Sequence, residues 1–538
     1  MSGVDQPPSM CYRCIMNMAR DISGADLILA DAHIITLDPL RPRASWLGIS
    51  NGRILALGDN QGLKRLRGGK YNVINCRGKT IVPGFIDSHC HLIAFAETQV
   101  TLDLSPRNGV NSISDLKDKI RSAANRLAPG IWIRGKGYNE FYLAERRHPT
   151  RWDLDEVASN LPVKLSHRSG HAHVLNSVAL GLVGISKETP DPPGGLIERK
   201  IPSGEPTGLL YGMGAFLSKS VPPLDVEELE RGIKLADQEL ISLGITSIHE
   251  ASASNDMERW KLIDSWKQKR LLTPRVCMML GMESFHENQR HKFSTQLSEN
   301  HLRLSGVKII LDETTGQLYP PQSKLNEVVL QIHHAGQQTE IHAIEENAIE
   351  SACTAVAYAL ERLPRSDHRH RVEHCSLCPP ALVKRLASLG IMVITQPPFL
   401  FYNGDRYLKT VPSKQLKYLY PIGTLMKSGV EVAGSSDCPI VPPNPLVGIH
   451  SAVNRICETG EPVSELEGIT PMEALRMYTS YAARTSFEET IKGSISPGKL
   501  ADLVVLNRDP TKVPSDEIKD IKVEMTILGG EVVWDKTS

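Results

Sequence analysis

The stretch IVPGFIDSHCHL, residues 81–92, ends a β-branched, apolar run with two histidines two positions apart. Alternate residues of a strand share a face, so Asp87, His89 and His91 project together while Ser88 and Cys90 point the other way. Two imidazoles on one face can share a metal ion, because neutral imidazole nitrogen ligates zinc at ~2.0–2.1 Å. A polar strand end carrying two solvated histidines fits the pair equally well. Further along, four more residues of ligand or charged type each close a short apolar run: Lys308 in SGVKIILD, His342 in TEIHAIE, His374 in HRVEHCS and Asp437 in AGSSDCP. Singly, each reads as an ordinary satisfied polar residue. Together they make a metal site if one scaffold gathers their strand ends.

The chain supplies such a scaffold. Between residues 81 and 490, short apolar strands alternate with amphipathic stretches such as ELERGIKLADQELISLG, and strand ends fall near 249, 279, 308, 342 and 374. A spacing of about 30 residues is that of repeated βα units. Counting the strand that ends at His91 gives eight, the number of a (β/α)8 barrel in an α/β fold. The spacing breaks once, after that first strand. An insertion, about residues 103–222, is expected to be an irregular capping region hanging over the barrel face where such enzymes keep their sites. Residues 24–80 and 491–538 alternate in the strand manner, with Asn51-Gly52 and Gly529-Gly530 as turns, and predict a small β-sandwich built from both ends of the chain. Residues 1–23 read as a disordered leader.

Composition narrows the partners. Lys+Arg and Asp+Glu both total 61 in 538 residues, which argues against nucleic acid or an acidic membrane surface. The N-terminal residues lack a signal-peptide pattern, and no apolar run approaches the ~18–20 residues of a membrane span. Ten cysteines without a framework rhythm read as free thiols in a reducing compartment, so the expected location is cytoplasmic. The pairs Cys11/Cys14 and Cys375/Cys378 are too far apart in the chain for a four-cysteine zinc site to be the simpler reading. The expected partner is a small-molecule substrate; a homodimer is admitted by the sequence and not required by it.

PGFIDSHCH, the strand-end histidines, the Ser-Ser-Asp at 435–437 and the closing SPGKLADLVVLNRDP resemble the amidohydrolase superfamily of metal-dependent hydrolases. GKGYNE, GHAHVLNSVAL, TPDPPGGLIER and GEPTGLLY narrow the likeness to the amidohydrolase-3 branch, which includes N-substituted formamide deformylases. The resemblance implies a divalent metal, zinc above all, one or two per chain. It implies His89 and His91 as ligands of a more buried ion with Asp437, and His342 and His374 as ligands of a second. Lys308 takes the position of a carbamylated bridging lysine. Asp312-Glu313 stands where the branch reads Asp-Gly, which offers Glu313 as a competing ligand.

The implied activity is hydrolysis of a C–N bond, in a linear amide such as an N-acyl or N-formyl amine, by metal-activated hydroxide. Asp437 would be the catalytic general base and then general acid. His171 and Asn176, from the GH-x4-NS pattern, and Tyr138, which replaces a tryptophan common in the branch, are implied substrate-pocket residues; for His171 and Asn176 a loop-stabilising role stands beside that one. A deaminase or cyclic amidase on the same scaffold, and a non-catalytic binding or assembly protein, are the alternatives. His249 and Glu250 carry no assigned role.

Overall fold

The computed structural model describes residues 24–59, 71–192, 194–288, 301–313 and 318–537. The expected leader, residues 1–23, lies outside them, as do Cys11 and Cys14.

Eight parallel strands form the centre: β1 (Phe85–Cys90), β2 (Ile245–Glu250), β3 (Arg275–Gly281), β4 (Leu302–Ile310), β5 (Thr339–Ala343), β6 (Arg371–His374), β7 (Met392–Thr395) and β8 (Val432–Gly434). They pair in chain order. Just beyond the strand ends, a bridge between Cys90 and Cys438 and a bond from His91 N to Cys438 O at 2.7 Å draw β8 back to β1. The sheet is a nearly closed barrel, as the strand count predicts. Every residue of β1 is buried, because helices cover the outside of a parallel barrel and side chains fill the inside. One large apolar core runs between strands and helices and includes Phe85, Ile248, Val307, Ile341, Val372 and Val432.

The helix Val226–Ser242 shows how the sequence delivers these units. Asp225 caps it by accepting from Glu228 N at 2.7 Å, and Ile233, Ala236, Leu240 and Ile241 form its buried stripe. It stops at Gly244, whose φ of +79° leads directly into β2. A Cβ there would stand 2.9 Å from Val504 side-chain atoms. Glycine meets both demands.

The ends of the chain meet in two sheets. One joins 27–30, 46–50, 53–58 and 72–75; the other joins 33–35, 43–44, 80–83, 503–506, 523–528 and 531–535. Leu29, Leu47, Ile81, Leu503 and Ile527 share the core between them. The apolar run at 81–92 is therefore two strands. Thr80–Pro83 pairs with Leu503–Leu506 in the terminal sheet, Gly84 turns, and β1 enters the barrel. A Cβ on Gly84 would fall 2.1 Å from Thr246 Oγ1, so the turn packs against β2.

The insertion departs from the expected irregular cap. It holds a six-stranded sheet ordered Leu196–Arg199, Pro206–Tyr211, Ala172–Leu175, Val163–His167, Ile133–Tyr138 and Leu102–Asp103, with its own core of Leu116, Ile133, Val163, Leu165 and Val174. Its strands are masked in the sequence because IRGKGY and PTGLLY carry glycines, which dilute strand propensity. Among the described residues no helix is long and apolar enough to cross a membrane.

Candidate metal centre

The C-terminal ends of β1, β4, β5 and β6, with the segment after β8, bring His89, His91, Lys308, His342, His374 and Asp437 into one neighbourhood. Ligand atoms of His89, His91 and Asp437 lie within 4.8 Å of one another. His91 Nε2 is 3.0 Å, and His89 Nε2 3.5 Å, from Asp437 Oδ1. Tetrahedral ligands on arms of ~2.0–2.1 Å stand roughly 3.3 Å apart, so these spacings suit a shared ion. The ring of His374 lies 5.0 Å from that of His89 and 4.4 Å from that of His342, which places a second pair of imidazoles beside the first group. Lys308 Nζ reaches to 3.4 Å from His89 Nε2.

What orients the histidines is equally informative. His89 Nδ1 donates to the Glu373 carboxylate, which is itself held by Arg371 Nε at 2.6 Å. Arg371 also donates to Glu340 at 2.9 Å, and all three charged residues are fully buried. His374 Nδ1 donates to Gln396 Oε1 at 2.8 Å, and Gln396 Nε2 donates to Ser435 Oγ at 3.0 Å. His91 Nδ1 lies 3.0 Å from Ser252 Oγ. With the Nδ1 atoms of His89, His91 and His374 engaged, their Nε2 atoms are the ones free to ligate. His374 Nε2 and Asp437 Oδ1 are buried polar atoms without a hydrogen-bond partner. Orphaned acceptors backed by bonded Nδ1 atoms are the pattern of metal-binding histidines and carboxylates. The donor set fits a divalent cation.

Electrostatics agree. Burial, then the neighbouring Lys308, holds the His89 imidazole far below its ordinary pKa; burial and His374 do the same for His342. Neutral imidazole is the ligating form. Burial would raise the Asp437 carboxyl, but the adjacent His91 imidazole and the nearby His89 and His374 outweigh it and keep the group ionised. Burial lowers Lys308, favouring its neutral amine. His374 and Asp437 both hold left-handed backbone, φ +74° and +55°, at a cost of order 1–3 kcal/mol each that the surrounding bonds must sustain.

Several residues without a sequence-based role support this group. Glu250 accepts from Leu92 N and, at 2.9 Å, from Ser252 N, so it fixes both the helix start after His91 and the hydroxyl beside His91. Asp87 shares a strand with the ligands but not their task. It accepts from Ser436 N at 3.0 Å and from Ser436 Oγ, and burial pushes its pKa up to about 6. His249 joins Cys277 and Glu488 in a separate buried group. There Lys492 lies 2.9 Å and Arg303 4.0 Å from Glu488, so its charge is already offset and a cation is repelled.

The three expected pocket residues separate. His171 is exposed, its ring 6.3 Å from that of His342. Asn176 is tied up within the insertion. It is fully buried and caps the helix Ser177–Leu182, accepting from Val163 N and Ala179 N at 3.0 Å and donating to Ala158 O and Leu161 O at 2.9 Å. All four of its bonding positions are used inside the insertion. Tyr138 is likewise fully buried in the insertion core, its hydroxyl 3.0 Å from His148 Nδ1. Glu313 lies outside the group of clustered ligand atoms; burial and the neighbouring Glu345 raise its pKa. Residues 314–317 of its loop lie outside the described residues.

Comparison with known proteins gives a consistent picture. The profile described as the amidohydrolase family matches residues 72–534. The chain is 30% identical to an N-substituted formamide deformylase of Arthrobacter pascens, over 95% of this chain and 99% of that one. It is 29% identical to the protein LONG AFTER FAR-RED 3 of Arabidopsis thaliana, over 95% and 92%. A crystal structure of a metal-dependent hydrolase from Pyrococcus horikoshii OT3 superposes with a TM-score of 0.72 at 25% identity, covering 91% of this chain and 99% of that one.

Proposed function

Since the chain belongs to the amidohydrolase family, enzymes of metal-dependent C–N bond hydrolysis, we propose that its substrate is a linear amide, an N-acyl or N-formyl amine. The observation that carries this reading is the convergence of imidazole Nε2 atoms, with their Nδ1 atoms engaged, on the ionised Asp437. The relative at 30% identity, a deformylase of N-substituted formamides, supports the linear class over cyclic amides.

His89, His91 and Asp437 would hold one cation; His342, His374 and Lys308 would hold a second. Zinc suits imidazole and carboxylate better than magnesium does. A cation bound there supplies a lowered water pKa and polarises the substrate carbonyl. Asp437 is the proton carrier: ionised at neutral pH, it accepts a proton from the attacking water and returns it to the departing amine nitrogen. Lys308, as neutral amine, adds CO2: its nitrogen bonds the carbon, one proton leaves to solvent, and the resulting carbamate is anionic. His171 stands beside His342 and meets the incoming substrate. The eight cysteines among the described residues are free and buried, which supports a reducing, cytoplasmic setting.

Zinc-loaded protein assayed against N-formyl amines, longer N-acyl amines, cyclic amides and aminopurines tests the assignment. Release of formate or another carboxylic acid together with an amine is expected. Ring opening alone, or ammonia release alone, would replace it with the cyclic amidase or deaminase reading.

A further inference from the structure

Between the insertion sheet and the helix Leu92–Val100 lies a small cavity open to solvent, lined by Arg134, Lys136, Lys164, Ser166, Glu97 and Thr101 among others. The register explains its chemistry. Arg134 pairs with Lys164 and Lys136 with Ser166 across two parallel strands, and alternate residues share a face. Three cations and a hydroxyl therefore project together toward the helix. Glu97 is the one carboxylate in the lining, which leaves two positive charges in excess.

These cations are held in place but not neutralised. Arg134 Nη2 donates to Pro222 O at 2.6 Å, and Lys136 Nζ to Ala94 O at 3.3 Å. Among the described residues no carboxylate oxygen lies within 4.0 Å of the three cationic groups. Burial pushes the Lys136 pKa down to about 8 and lowers Lys164 and Arg134 as well. The next strand feels the same field: His173, 3.1 Å from Ser166 Oγ through Nδ1, is pushed down to about 3 by burial and by Lys164, His171 and Lys136. Partly buried cations that a single carboxylate, Glu97, balances only in part are costly. A bound anion would relieve that cost, and a planar guanidinium with two ammonium groups and hydroxyls is a donor set for oxyanions.

We propose that this cavity is an anion-binding site that takes a carboxylate or phosphate group. It stands independently of the amide reading, since none of its residues belongs to the metal centre. It is nonetheless close to that centre. Ala94, whose carbonyl receives Lys136, is three residues beyond His91, so the anion is either a charged end of the substrate or a separate small ion.

Calorimetric titration of inorganic phosphate and of succinate into the metal-loaded protein tests it. Saturable binding is expected, weakened at least tenfold by Lys164→Gln and by Lys136→Gln and tightened severalfold by Glu97→Gln. The gain in the last variant is one that a damaged fold does not produce. No saturable binding, or binding indifferent to all three changes as at the metal centre alone, overturns the proposal. The source follows from kinetics with Lys164→Gln. A KM raised for an N-formyl amino acid but not for an uncharged N-alkylformamide assigns the cavity to the substrate's own carboxylate; unchanged KM for both, with phosphate binding still lost, assigns it to a separate small anion.

Discussion

Glu373 bonds His89 Nδ1 across 284 residues of sequence, while the next residue in the chain, His374, faces the same centre as His89. One strand end thus supplies both a ligand and the orienting carboxylate of another ligand. Glu373→Gln keeps the shape, removes the charge and weakens the grip on His89. Loss of an orienting partner of this kind typically costs 10–100-fold in metal affinity. Competition with a chromophoric chelator measures it; an unchanged affinity would show that His89 needs no such support.

Asp437→Asn is nearly isosteric and removes the proposed proton carrier. Turnover is expected to fall by about 10²–10⁴, the usual contribution of general acid–base catalysis, with the circular dichroism spectrum unchanged. Steady-state rates on metal-loaded protein check this. Turnover near wild type would remove Asp437 from the proton path.

Lys308→Ala deletes the amine that lies 3.4 Å from His89 Nε2 and that we propose as a ligand of the second cation. The variant is expected to bind one metal equivalent fewer and to lose most activity, with partial rescue by short carboxylic acids added with excess zinc. Elemental analysis and rescue kinetics decide together. Full metal content without added acid would mean that the lysine is not a ligand.

Stability should fall on mild acidification. The imidazoles of His173, His249, His333, His368 and His370 all have pKa values lowered by burial, with His173 at about 3. Below the unfolded value of about 6.5, the unfolded chain takes up protons that the folded chain refuses, so stability drops with pH. Asp87 and Glu340, raised by burial to about 6 and about 7, run the other way because they bind protons in the fold first, as do Asp237, Glu239 and Glu313, also raised by burial. With His148, His167, His301 and His450 lowered by burial as well, nine imidazoles outweigh five carboxyls. The midpoint of thermal unfolding, followed from pH 7.5 to 5.5, should decline; a flat or rising profile would refute the balance.

The barrel was legible because each strand is a short apolar run at regular spacing, and the gathering of His89, Lys308, His342, His374 and Asp437 was legible because all of them close such runs. The second layer was not. Glu373 precedes a histidine in HRVEHCS and Gln396 follows IMVIT, yet nothing local distinguishes them from ordinary polar residues. Their partners are chosen by the curvature of the barrel. Asn176 and Tyr138 mark the opposite failure. They lie in motifs that resemble a pocket wall, but Asn176 saturates its hydrogen bonds within the insertion and Tyr138 packs into its core, a tertiary outcome that motif spacing does not encode. Gly84 is a third case: Pro83-Gly84 within the apolar run marks a change of sheet that the reading of one strand passed over.

The bond from Ser436 N to Asp87 closes a separation of 349 residues, and the strand before β1 pairs with one beyond residue 500. A ribosome adds roughly 5–20 residues per second, so the HxH segment emerges about 17–70 s before the Ser-Ser-Asp segment that completes its site. In that interval the first two imidazoles have neither their carboxylate nor the far strand of the terminal sheet. The group that His89 and His91 form with Asp437 is therefore complete only once residue 437 has been made, and a chain truncated anywhere before it lacks that carboxylate.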